Sequence, residues 1–352
     1  MTSLFLHSDV KETVAHLGDV AHEFAGKRIL LAGGRGFLGR YFSAVFEELN
    51  RSCLSTPCEL ILVDNLITSG AAEVSSAITP TRFLKHDIGI PLEIDADLDF
   101  IIHAAGIASP FYYGAYPLET LDVSISGNRN LLELALQHRA RYTFLSSSEI
   151  YGDPDPDHIP TPESYRGYVS TQGRRACYDE SKRVGETLCY IFHSYYGVHT
   201  NIIRPFNVFG PGMNEADYRV LPNFASCLKA GRPVSIYGTG NQTRTFTYVT
   251  DALNGFLRVI AGGSPGETYN IGNPRPEVAM LELVARLGVV LGRSVDYRVI
   301  EYPDSYPSDE PNRRCPDIRK AQLQLGFHPA VDFDVGLGRF FAWANQAYTG
   351  IQ

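Results

Sequence analysis

At 352 residues, with 31 Lys and Arg against 39 Asp and Glu, the chain is long enough for a large core and carries a net charge of -8. That balance excludes a general nucleic-acid or acidic-membrane binder, and no segment approaches the ~20 consecutive apolar residues of a membrane-spanning helix. The six cysteines (Cys53, Cys58, Cys177, Cys189, Cys227 and Cys315) form no CxxC pair and have no zinc-type histidine spacing, which reads as free thiols in a reducing cytoplasm and no metal site.

Residues 1–26 mix acids and histidines with short apolar pieces, and read as a helical extension packed on the surface rather than a targeting signal. From residue 28, short apolar β-branched runs alternate with amphipathic stretches. Strands are expected over 28–34, 59–65, 82–88, 99–106, 141–149 and 200–210, with helices over 37–50, 117–139 and 178–197. Strands alternating with helices predict an α/β fold, a Rossmann-type doubly wound parallel sheet. Beyond about residue 210 the pieces shorten and Gly and Pro become frequent, with helices near 219–230, 249–262, 277–292 and 334–347. The expected division is an extension (1–26), a dinucleotide-binding domain (27–210, with 240–272 returning to it) and a smaller substrate-binding α/β lobe (mainly 211–352).

In open parallel sheets ligands sit beyond the carboxyl ends of the strands. "ILLAGGRGFLGRY" places Gly33, Gly36 and Gly39 after the first strand and at a helix start, where backbone amides and the helix dipole suit a pyrophosphate. Phe37 and Leu38 flank that turn. The second strand ends in Asp64 and Asn65, and a carboxylate there accepts from ribose hydroxyls and repels a 2′-phosphate, which favours NAD over NADP. Arg35 argues the other way, since a guanidinium in the loop suits a phosphate. Asp87 and Ile88 end the third strand, beside the adenine, and Ala104 and Ala105 in "HAAG" let backbone approach the cofactor. Pro205 closes the sixth strand on the same path.

"CYDESKR" sets Tyr178 and Lys182 four residues apart on one helical face. A phenol of unperturbed pKa ~10 serves as a base near neutrality only if a cation favours its phenolate, so the pair reads as a base and its activator. Ser147 in "SSSEIYG" would orient the substrate alcohol. A Gly-rich turn or a Tyr/Lys pair alone is ordinary structure; together they describe alcohol oxidation with hydride transfer to NAD.

The chain resembles the extended short-chain dehydrogenases/reductases from about residue 28 to 345, and among them is similar to the UDP-glucuronate decarboxylase (UDP-xylose synthase) family. The stretches that carry this are "RACYDESKRVGETLCY", "RPFNVFGPGM", "RVLPNF", "YGTGNQTRTFTYVTDALNG", "YNIGNP" and "PNRRCPDIRKAQLQLGF". The resemblance implies a triad of Ser147, Tyr178 and Lys182 with Glu149 as the added acid/base group. It also implies that Asn207, Arg244 and Arg314 hold a UDP-sugar, Tyr237 lies near the uracil, Ser148 and Leu221 line the same site, and the protein is a cytoplasmic homodimer.

Three positions depart from the family pattern. Gly212 stands where arginine is usual in "FGPR", Glu119 where lysine is usual after "YNP", and Ser124 where asparagine is usual. Two missing cations leave 4,6-dehydration or simple 4-dehydrogenation of another nucleotide sugar open beside decarboxylation. A 4-epimerase is disfavoured, because it needs no carboxylate at 149. The non-enzyme alternative is a sensor or scaffold that binds NAD and nucleotide without chemistry.

Overall fold

The computed structural model describes residues 4–69, 78–302 and 311–351. Its centre is a seven-stranded parallel sheet. β1 (Arg28–Ala32), β2 (Glu59–Asp64), β3 (Thr81–Lys85), β4 (Phe100–His103), β5 (Arg141–Leu145) and β6 (Thr200–Pro205) are joined by a last strand, Thr268–Ile271. The order is Thr268–Ile271, β6, β5, β4, β1, β2, β3. Ile29 pairs with Leu60 on one side and Phe100 on the other, so β1 and β4 are the adjacent strands where the winding reverses and a crevice opens.

The inner strands read as unbroken apolar runs because helices cover both faces. Ile29 and Leu31 face one layer, packed with residues of α2 (Phe37–Ser52) and α8 (Val249–Gly262). Leu30 and Ala32 face the other, against α5 (Ser126–His138) and α6 (Ala176–Tyr196). The single helix expected over 117–139 is two: α4 (Pro117–Ser124) and α5, broken at Ile125. The run Val123–Ser126 alternates β-branched and hydroxyl residues, which are weak helix formers. The strands stop earlier than the apolar runs suggest, and the freed residues at 104–106 and 146–149 turn into the crevice.

The N-terminal extension is more than a surface appendage. α1 (His7–Leu17) puts Val10, Val14 and Leu17 on one buried face, and Phe24 packs on Phe46 and Phe100. Asp9 is fully buried, accepting from the hydroxyls of Tyr41 (3.2 Å) and Tyr248 (2.8 Å), with Arg339 at 3.5 Å. These partners come from three distant parts of the chain.

In the C-terminal third, Val234–Tyr237 pairs with Tyr297–Ile300, and Thr243–Arg244 lies between Val278–Ala279 and Arg313–Arg314. Around them pack α7 (Val220–Lys229), α9 (Met280–Leu291) and α11 (Phe333–Ala347). No helix of the described residues is long and apolar enough to cross a membrane.

Burial pushes the Asp9 carboxyl up to about 6 despite its hydroxyl and guanidinium neighbours. The folded state therefore holds this proton more tightly than the unfolded chain, and the stabilisation is present below the ordinary carboxylate pKa and lost as pH rises through about 6. Asp9→Asn should remove that share of the pH dependence. Between pH 4 and 7 the parent should lose roughly 2–3 kcal/mol relative to the variant, read as a converging-to-diverging difference in thermal midpoint.

Candidate active site

Two cavities open at the carboxyl end of the sheet and meet at Ala104 and Gly106. The first, a cleft of about 320 Å³, lies over the ends of β1–β4 and gathers Gly33, Gly36, Asp64, Asn65, Asp87, Ile88, Ala104 and Ala105. Its floor is backbone. At Gly33 (φ +82°) a Cβ would sit 2.6 Å from the amide nitrogen of Ala105, and at Gly39 one would sit 2.1 Å from the carbonyl oxygen of Gly33. Only glycine lets β1, the turn and α2 approach this closely.

Asp64 ties the turn to the exit of β2. It accepts from the backbone N–H of Arg35 (2.9 Å), the backbone N–H of Leu66 (2.8 Å) and the Ser69 hydroxyl (2.9 Å). Asn65 donates to Asp87 at 3.2 Å. The Arg35 guanidinium lies 4.4 Å over the Phe83 ring. A side-chain-free turn at a helix start beside a carboxylate fits a dinucleotide without a 2′-phosphate. Glu119, in the first turn of α4, lines the same cleft.

The second cavity, about 280 Å³, holds the rest of the expected residues: Phe37, Leu38, Ser147, Ser148, Glu149, Tyr178, Lys182, Pro205, Asn207, Leu221, Tyr237, Arg244 and Arg314. α6 brings Tyr178 and Lys182 to its wall one turn apart. The Lys182 ammonium donates to the Leu145 carbonyl (2.9 Å), 4.8 Å from the Phe144 ring and 5.9 Å from the Tyr178 ring. Burial pushes Lys182 down to about 8. Burial also pushes the Tyr178 phenol up, while the Ser147 hydroxyl bonded to it and the Arg219 and Arg175 guanidiniums pull it down.

Ser147 caps the short turn Ser148–Tyr151, its hydroxyl accepting from the backbone N–H of Glu149 at 3.2 Å. That turn points Glu149 into the cavity, where two guanidiniums meet it. Arg314 binds both carboxylate oxygens, through Nη2 at 2.7 Å and through Nη1, and Arg175 donates through its Nη2. Arg175 also faces Asp179 at 3.4 Å. The Arg175 and Arg314 side chains are only 7% and 4% exposed, so this charge cluster is nearly dry.

Deeper in the lobe, Arg244 donates to the Thr243 carbonyl at 2.8 Å, and Tyr237 lies 5.8 Å from the Tyr302 ring. Asn207 adopts φ +42°, a conformation rare for a side-chain-bearing residue, and donates to the Thr245 carbonyl. Ser124 is fully buried, and its hydroxyl has no protein partner among the described residues.

Gly212 has a structural reason to lack a side chain: at φ +94° a Cβ would meet the Leu4 carbonyl at 2.3 Å. Two further arginines line the cavity, Arg175 and Arg219, which sequence reasoning passed over, and each is paired with a carboxylate. Arg219 pairs with Asp217 (2.8 Å). Arg175 precedes Tyr178 by three residues, within the helical spacing used for Lys182, and Arg219 begins the "RVLPNF" stretch. Tyr113, parallel to Tyr178 at 5.7 Å and 16°, was also missed.

Residues 29–272 match the NAD dependent epimerase/dehydratase family. UDP-glucuronic acid decarboxylase 3 of Arabidopsis thaliana is 38% identical over 312 residues, covering 88% of this chain and 86% of that protein. UDP-glucuronic acid decarboxylase 1 of Xenopus tropicalis is 38% identical over 315 residues, covering 89% and 71%. Among solved structures, the dTDP-glucose 4,6-dehydratase DesIV of Streptomyces venezuelae, with NAD and TYD bound, superposes with a TM-score of 0.77 at 26% identity, covering 91% and 97%. The chain belongs to the NAD dependent epimerase/dehydratase family.

The carboxylate at the end of β2 gives a test of cofactor choice. Asp64→Asn should weaken NADH binding and narrow the preference over NADPH by about tenfold, the equivalent of about 1.4 kcal/mol of lost 2′-phosphate repulsion. Fluorescence titration with both nucleotides reads it directly.

Proposed function

We propose that the protein is a UDP-glucuronate decarboxylase that forms UDP-xylose and regenerates its NAD in each turnover. The observation that carries this reading is Glu149, a carboxylate held by Arg314 and Arg175 beside an alcohol-oxidation triad; oxidation alone has no use for it. The 38% identity to decarboxylases over most of the chain supports the same choice.

Tyr178 takes the proton of the sugar 4-hydroxyl, with Ser147 orienting that hydroxyl and the Lys182 ammonium favouring the phenolate. The cleft that Gly33, Gly36 and Asp64 line would hold NAD, which would supply the hydride acceptor for carbon 4 and the donor for the final reduction. The resulting ketone is β to the carboxylate, so the bond between carbons 5 and 6 breaks with its electron pair delocalised into an enolate. Glu149, with a water it positions, delivers a proton to carbon 5, and Tyr178 returns its proton as the ketone is reduced.

In this reading Asn207, Arg244, Leu221 and Ser148 hold the sugar nucleotide, with Tyr237 near the uracil. Arg314, which the resemblance assigns to the diphosphate, holds the catalytic carboxylate. Residues 211–352 act mainly as the substrate lobe on the dinucleotide-binding part. The enzyme is a cytoplasmic homodimer through α4–α6, whose outer face carries Leu136, Val184, Tyr190, Tyr195 and Tyr196 exposed.

Incubation with UDP-glucuronate and NAD, followed by mass spectrometry and proton NMR, should give carbon dioxide and UDP-xylose. Turnover of GDP-mannose or dTDP-glucose with loss of water, and none of UDP-glucuronate, would overturn the proposal. Tyr178→Phe should abolish hydride transfer. Glu149→Gln should lower kcat about 100-fold; a Gln variant as fast as the parent would reduce Glu149 to a structural residue.

A further inference from the structure

The reaction proposed above contains a point of escape. After carbon dioxide leaves, the cavity holds a keto-sugar nucleotide that must stay beside NADH until hydride returns. The structure places three consecutive aromatics at the mouth of that cavity on α3 (Pro110–Ala115), a six-residue helix, each with a different partner. Tyr113 stacks on Tyr178 inside. Phe111 stacks on Tyr218 across the cleft, centroids 5.4 Å apart and 24° between planes. Tyr112 accepts a hydrogen bond from the Asn214 amide at 3.1 Å. Phe111 and Tyr218 are 47% and 36% exposed, so their stacking serves the rim and adds little to the core.

The two sides of this contact are held differently. The turn 210–219 is braced by both chain ends: the Leu4 carbonyl lies over Gly212, Tyr348 donates to the Met213 carbonyl (2.9 Å), and Glu215 accepts from the backbone amides of Thr349 (2.8 Å) and Gly350 (2.6 Å). On α3, by contrast, a Cβ at Gly114 would meet nothing within 4 Å. α3 is anchored by Tyr113, buried on Tyr178, and leaves Phe111 and Tyr112 to meet the braced turn.

We propose that α3 and the turn 210–219 form a latch, closed by Phe111 on Tyr218 and by Asn214 on Tyr112, that retains the decarboxylated keto intermediate and sets the ratio of pentose to ketopentose product. The inference rests on the decarboxylation reading. With the latch closed, the hydride removed from carbon 4 returns to it and NAD is unchanged overall. If the intermediate leaves first, the products are a ketopentose nucleotide, carbon dioxide and NADH. NAD is then the consumed two-electron oxidant, and the sugar proton taken by Tyr178 passes to solvent.

The test uses the full chain with UDP-glucuronate and NAD, following carbon dioxide, NADH and the two nucleotide products by NMR. Phe111→Ala should release carbon dioxide as the parent does, but with the ketopentose fraction and NADH raised about three- to tenfold, as loss of one stacked aromatic pair allows. Tyr218→Ala should raise the fraction similarly, the double variant no further, and Tyr218→Phe, which keeps the stack, should match the parent. Tyr112→Phe carries the test through the hydrogen bond if Phe111→Ala fails to fold. An unchanged product ratio in these variants, or strictly additive effects in the double variant, with carbon dioxide still released, would overturn the latch alone. A parent enzyme that releases no carbon dioxide would overturn the decarboxylation reading and the latch's role in it.

Discussion

A carboxylate cannot sit ionised in a half-dry cavity without cations, and the site is organised around that fact at Glu149. One of its guanidiniums, Arg175, comes from the entrance of α6, close to Tyr178. The other, Arg314, comes from a short strand of the C-terminal third, 165 residues along the chain. The same pair of contacts therefore fixes Glu149 and joins α6 to the C-terminal third across the cavity. With Asp179 also facing Arg175, two guanidiniums and two carboxylates form one buried, mutually paired cluster.

The sheet sets where this cluster can be. Because β1 and β4 are adjacent and their connections depart to opposite sides, a crevice opens at their carboxyl ends, and the two cavities meet there at Ala104 and Gly106. The approach is close enough that Gly106 would put a Cβ 3.1 Å from the Lys182 ammonium. Behind the crevice a buried network fixes the strand ends: Ser146 and Arg204 donate to Glu186, Arg204 donates to Tyr151, and Tyr151 donates to Asn270. Such a network is worth having only when each member is satisfied, and here the hydrogen bonds run unbroken from α6 to the last strand. It leaves Ser147 and Glu149, the next residues along, on a rigid base.

The N-terminal extension plays a part that its composition does not announce. Asp9 locks α1 against α2, α11 and Tyr248 at the entrance of α8, and Leu4 lies across Gly212. The position that reads in sequence as a missing arginine is a place where no side chain fits.

The features legible in the chain by itself were those with local geometry. Alternating apolar runs and helices specify the parallel sheet, Gly33, Gly36 and Gly39 specify a close turn, Asp64 ends the second strand, and Tyr178 and Lys182 share a helical face through a spacing of four. Ser147 follows from a strand that ends in hydroxyls, whereas Glu149 is what the family resemblance implies. Tertiary structure decided what has no local period: Arg314 on Glu149, Leu4 over Gly212, Asp9 among two tyrosines and an arginine, and Phe111 on Tyr218. These contacts depend on where the fold's crossovers and chain ends bring distant segments together, and a side chain's partner at such distances is chosen by the packing of the whole molecule rather than by its neighbours in sequence.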